Sequence, residues 1–248
     1  MHRHLVPRVV VAGIAGLSLV AGSAQAEDSL DVPPLADLAP TVDHPLVPLG
    51  TVPVKIFAGQ ERDPETGEPI GIRVEERVLD GTARVAGVEV TVVDVVDYHN
   101  GELYDTTADY FAQGPEGSVY YLGERVDEYA AGTVVGHEGS WLTGVHVDEP
   151  GVFMPAEARV GDIFYQERIP DVAEERFKVI AADQTLATPA GTFDGCVRTE
   201  EMNLTDIPGL LGGPTEQKVF CPGVGLVRED FPSGYLELVA FAPPAASP

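Results

Sequence analysis

The chain has 248 residues, with 40 aspartate and glutamate residues against 15 lysines and arginines, for a formal net charge of −25. A charge of this size repels nucleic acid and anionic lipid headgroups, so neither is expected as a partner. The only lysines are Lys55, Lys178 and Lys218, a composition that reads either as a solubilising surface or as one that attracts divalent cations.

Met1 to Arg8 carries Arg3 and Arg8 and no acid, and an apolar run follows from Val9 to Val20. Ala24-Gln25-Ala26 then places small residues at the two positions that signal peptidase reads. A membrane anchor needs roughly 17 to 25 apolar residues, more than this run supplies, and no cysteine follows it to carry a lipid. Residues 1–26 are expected to be a signal peptide, cleaved to leave a secreted or periplasmic chain that starts at Glu27 and has no stable membrane anchor.

Residues 27–69 read as an extended lead segment, because Pro33, Pro34, Pro40, Pro45, Pro48 and Pro53 leave no sustained period. From Ile70 the pattern turns to β, and residues 70–242 are expected to form one β domain, with 243–248 as a flexible tail. Val88 to Asp97 is rich in β-branched residues, and its imperfect alternation predicts a strand partly buried on both faces. Asn100-Gly101 is a strong signal for a two-residue hairpin turn, so Glu102 to Gln113 should return antiparallel. Gly114-Pro115-Glu116-Gly117 marks the next turn before a strand over Ser118 to Glu128, and Thr133 to Trp141 could add a fourth. Later strands are expected at Ile163 to Glu167, Phe177 to Leu186, Cys196 to Leu204, Gln217 to Cys221, Leu226 to Phe231 and Tyr235 to Phe241. Only Asp171 to Lys178 has a briefly helical character. The fold class is therefore mainly β, a single curved antiparallel meander forming a half-barrel or open barrel with at most a short helix.

Cys196 and Cys221 are the only cysteines. In an oxidising destination a disulfide is their default state, and the strand assignment puts them on neighbouring antiparallel strands. The connecting Ile207 to Pro214 is too rich in glycine and proline to be regular, and it exposes Leu210 and Leu211 unless they tuck into the core.

Asp109-Tyr110-Phe111-Ala112-Gln113, Tyr121-Leu122-Gly123-Glu124, Glu138-Gly139-Ser140-Trp141, Met154-Pro155 and Val160-Gly161-Asp162 together resemble a group of exported bacterial proteins of unknown function. Pro189-Ala190-Gly191-Thr192-Phe193 and Pro222-Gly223-Val224-Gly225 extend the likeness. These last two are also similar to the C-terminal hairpins of an exported family related to the half-barrels of periplasmic lipoprotein carriers. The resemblance implies a curved β fold and transfers no catalytic residue.

Chemistry-bearing clusters are sparse. His99, His137 and His146 lie near acids, but their spacing matches no metal motif, and no metal or cofactor is expected. Ser140, His137 and Asp148 can be grouped on paper, yet there is no nucleophile elbow. No Walker or Rossmann glycine pattern is present. What remains is a mixture of aromatic and polar residues. On a strand every second residue faces the same side, so Asp109, Phe111 and Gln113 should share one face. With Tyr121, Glu124, Glu138, Trp141 and Met154, Asp109 and Gln113 are the candidate ligand-binding residues, suited to a small apolar or amphipathic ligand. A secreted hydrolase or lyase using acids near Glu124 and Glu138, and a structural or interaction protein without a ligand, are the alternatives.

Overall fold

The computed structural model describes residues 32–169, 173–203 and 215–242, and their strands belong to one antiparallel sheet of fourteen strands that does not close into a barrel. The first half contributes β1 (Val54–Arg62), β2 (Pro69–Val85), β3 (Val88–His99), β4 (Glu102–Gln113) and β5 (Val119–Ala130). Three short strands follow, β6 (Thr133–Gly136), β7 (Trp141–Leu142) and β8 (Gly151–Met154). The second half holds β9 (Ile163–Ile169), β10 (Ala173–Thr188), β11 (Gly191–Asn203), β12 (Thr215–Cys221), β13 (Gly225–Phe231) and β14 (Gly234–Ala242). A 3-10 turn at Leu35–Asp37 is the only helical element among the described residues.

Two meanders make the sheet. One runs from β6 through β5 back to β1, the other from β14 to β9, and they join where β1 pairs with β14 from Val54↔Ala242 to Glu61↔Gly234. The hairpins follow from local chemistry: Asn100 and Gly101 both adopt positive φ, 52° and 82°, as the tight β3–β4 turn requires. β3 is buried on both faces over Val90, Val92 and Val93, matching its imperfect alternation.

The sheet curls until its two ends meet. A Cβ built on Gly151 would lie 1.7 Å from the Gln166 carbonyl oxygen, so β8 lies against β9 at a spacing only glycine permits. β7 and β8 both pair with β5. The Trp141 indole N–H, from β7, donates to Glu167 of β9 over 2.8 Å.

Three local readings of the sequence are corrected. Residues from Ala173 onward form strand β10, not a helical turn, because β9 and β11 pair with it on both sides. There Phe177 and Val179 point inward and Lys178 outward, a period of two that tertiary pairing imposes over the helical preference of the Glu-Glu-Arg stretch. The strand expected over Thr133 to Trp141 is broken into β6 and β7 by a turn, in which the Ser140 N–H donates to the His137 carbonyl. Strand β1 lies within residues 27–69, whose prolines predict only an extended lead. Residues 1–31, including the signal-peptidase motif, lie outside the described residues, as do Ile207 to Pro214 with Leu210 and Leu211, and the tail after Ala242.

Cys196 and Cys221 form a disulfide between the paired strands β11 and β12, with both residues fully buried. Replacing both by alanine is expected to cost about 3 kcal/mol by the loop-closure argument, read as a lower urea midpoint, with an m-value that rises because the unbridged denatured chain exposes more surface. An unchanged midpoint would show that the bridge adds nothing to the fold's stability.

Candidate functional site

The curl encloses a cavity of about 260 Å³ between the two meanders. Its walls are mostly apolar: Val74 and Val95 on one side, Phe220 and Leu236 on the other, and Leu46 and Leu49 from the lead segment across the opening. The lead is held in place by the backbone bridge Ala39↔Gln113, by the Thr91 hydroxyl donating to the Pro40 carbonyl, and by the Asp43 N–H donating to Gln113 Oε1. Its role is to cover the inner face of the sheet, which strands alone would leave open.

Asp109 and Tyr121 face each other in this cavity, and the Tyr121 hydroxyl donates to Asp109 Oδ1 over 2.6 Å. Burial, reinforced by the nearby carboxylates of Glu76, Glu167 and Asp105, pushes the Asp109 carboxyl up to about 7. The Tyr121 hydroxyl is pushed well above its ordinary range, by burial first and then by the acids around it. Tyr121 also stacks on Phe111 with ring centroids 5.1 Å apart and meets Trp141 edge-on at 5.4 Å. Phe153 completes the aromatic group, 4.9 Å from Phe111.

Two of the three lysines of the chain line the same cavity. Lys55 Nζ lies 2.5 Å from Glu76, and Lys218 Nζ lies 2.5 Å from Glu201 and 3.7 Å from Glu229. Glu216 is pushed up to about 8, chiefly by burial, with Lys218 pulling the other way. The site is thus an apolar chamber with a few buried charges, most of them neutralised in pairs.

The sequence-derived candidates divide. Asp109 and Tyr121 line the cavity. Glu124 pairs across the ladder with Asp109 and with Trp141, so all three share the inner face, and both Glu124 and Trp141 are buried. Met154 is fully buried in the core beside Val119. Gln113 does not join them: its side chain accepts from Asp43 and donates to the Gly117 carbonyl, tying the lead to the β4–β5 turn. Glu138 is exposed in the turn between β6 and β7. Of the expected common pocket of Asp109, Gln113, Glu124, Glu138 and Trp141, only Asp109 lines the cavity; Glu124 and Trp141 share its face of the sheet but are packed outside the lining.

The histidines are dispersed. His99 sits between Asp97 at 3.3 Å and Glu61 at 3.9 Å and stacks on Tyr104. His137 contacts Asp127 at 2.8 Å, and His146 Nδ1 accepts the Leu142 N–H. Ser140 Oγ is occupied by the Val126 N–H, which is a structural tie and not an activated nucleophile. Among the described residues no group of three or more histidines, cysteines and acids could hold a metal ion.

Lys55, Lys218, Glu76 and Glu167 were not among the candidates. The rarity of lysine, with Lys55 followed by Ile56-Phe57 and Lys218 by Val219-Phe220, is the one signal in the sequence that points to the two lysines.

These features define a protein built on a curled antiparallel sheet around a small, mostly apolar chamber. No family model and no curated protein matches the chain. Among solved structures, it is similar to a Bacteroides fragilis protein assigned as exported and given a YmcC-like fold, at 16% identity and a TM-score of 0.44, covering 78% of this chain and 95% of that one. A Parabacteroides distasonis protein assigned as a lipoprotein aligns at 14% identity and a TM-score of 0.42, over 82% of this chain and 99% of that one.

Proposed function

We propose that this protein binds a small apolar or amphipathic molecule in the chamber enclosed by its sheet, and that it acts in the cell envelope or outside it. The observation that carries this reading is the chamber itself. Protein interiors are normally packed with few voids larger than a water molecule, so a partly open concavity of about 260 Å³ walled largely by valine, leucine and phenylalanine keeps apolar surface available that a ligand could cover. A mostly apolar wall with a few convergent polar groups is the usual make-up of a ligand site. The signal-peptide pattern of residues 1–26 supports the location, and among the described residues no helix is long and apolar enough to cross a membrane.

Val95 lines the chamber from β3. Val95→Phe fills part of the void without removing any polar group, so it should block a ligand while leaving the fold intact. In isothermal titration calorimetry, octanol is expected to bind the wild type at one site and Val95→Phe not at all, with melting temperatures within a few degrees of each other. Undiminished binding to Val95→Phe, or no binding to the wild type, would refute the reading.

A further inference from the structure

The charges inside the chamber differ in how they are satisfied, and the difference selects the sign of a ligand. Both lining lysines are matched by carboxylates: Lys55 by Glu76, and Lys218 by Glu201 and Glu229, with Glu216 and Glu175 also acting on it. An incoming anion would have to break one of these buried pairs, and separating a buried pair leaves an uncompensated charge on the partner. No arginine lines the chamber among the described residues. Asp109 is different. Its carboxyl takes a hydrogen bond from the neutral Tyr121 hydroxyl, and the charges that act on it most strongly, Glu76, Glu167 and Asp105, are all acids. The field at Asp109 is therefore negative, and the whole chain, at −25, reinforces it. The rings of Phe111, Tyr121 and Phe153, packed on one another, line the same wall and supply apolar surface beside Asp109.

From this arrangement we infer that the ligand is a small amphipathic amine, its ammonium group paired with Asp109 and its apolar body lying among Val74, Val95 and Leu236. The inference rests on the proposal that the chamber binds a ligand. A cavity of 150 Å³ is known to hold a benzene ring, and on that scale about 260 Å³ holds a molecule of about ten heavy atoms. An alkyl amine of that size has nothing to offer the lysines and everything to gain from Asp109. Pairing with an ammonium favours the ionised carboxylate, so binding near neutral pH should expel a proton from Asp109. The groups facing Asp109 during this step are Tyr121 and Glu124 of β5, Glu76 of β2, Glu167 of β9 and Asp105 of its own strand.

Octylamine, octanol and octanoate share one chain length and differ in charge, and calorimetric titration of all three into the intact protein separates the two proposals. Octylamine is expected to bind about ten-fold more tightly than octanol at pH 7.5, and octanoate more weakly than either. At pH 6, below the value of about 7 to which Asp109 is raised, the octylamine heat should vary with the ionisation enthalpy of the buffer, which reports the released proton. Asp109→Asn keeps an acceptor for Tyr121 and should bring octylamine down to the affinity of octanol while leaving octanol unchanged. Equal affinity for all three probes, or an octylamine preference that survives Asp109→Asn, would overturn the amine assignment while leaving the chamber as a site. Failure of all three to bind would remove the chamber and the assignment together.

Discussion

Replacing Trp141 by alanine is expected to cost about 3–5 kcal/mol, the largest single effect on stability that the fold implies. The residue is 1% exposed and is among the largest side chains fully enclosed by the fold. It comes from the two-residue strand β7, which has little pairing of its own, and it touches both sides of the curl: its ring packs on Tyr121 of β5, and its indole N–H reaches Glu167 of β9. Removing it opens a void and also takes a donor from a buried carboxylate, which adds a hydrogen-bond penalty to the packing loss. Trp141→Phe restores most of the volume and should recover more than half of the loss. The measurement is urea unfolding followed by circular dichroism. A Trp141→Ala midpoint within error of the wild type would mean that the two ends of the sheet are held together by something other than this contact.

The second large effect concerns pH. Asp109 is raised from an ordinary carboxyl value to about 7 in the folded chain, so between pH 4 and 7 the native state holds a proton that the unfolded chain has released. Its contribution is present in full at low pH and is lost as the pH rises through about 7, where the fold must accept a buried charge. Asp109→Asn removes that charge. The variant should be more stable than the wild type at pH 8 by a few kcal/mol, and the gain should fall to about half of that or less at pH 5, where the unfolded chain still releases a proton that the fold retains. Glu216, raised to about 8, contributes a term of the same sign to both proteins, so the difference between them isolates Asp109. Thermal unfolding at the two pH values checks this. A variant that is less stable than the wild type at pH 8 would show that the Asp109 carboxylate is well satisfied in the fold.

How much of this was legible in the sequence depended on range. The β3–β4 hairpin follows from Asn100-Gly101, and the disulfide from two cysteines on strands that neighbour in sequence; both are local inferences and both appear in the structure. The face shared by Asp109 and Phe111 also follows from a period of two, and both residues line the chamber. Gln113 has the same parity but lies at the strand end, where the lead segment bridges to it and takes its side chain. A bulge that pairs Tyr110 with Gly123 but Phe111 with Tyr121 resets the alternation in β5, and this keeps Glu124 on the face of Tyr121. Such a reset leaves no mark in the pattern of apolar residues.

The rest was set by contacts far apart in the chain. Lys55 stands in a stretch that reads as proline-rich lead, and it becomes a chamber residue only because β1 is paired on one side by β2 and on the other by the last strand. Glu167 and Lys218 come from the second meander, and no local period relates them to Asp109. The chamber exists because the two meanders curl toward one another, and that curvature is a property of the whole sheet.

Native mass spectrometry of the protein purified from its own host, beside the Val95→Phe variant prepared in the same way, tests the central claim most directly. The wild type is expected to carry a small molecule in one-to-one ratio, lost on collisional activation, and the variant to run at the mass of the bare chain. A wild type that is bare, or a bound molecule that persists equally in Val95→Phe, would contradict a ligand site in the chamber.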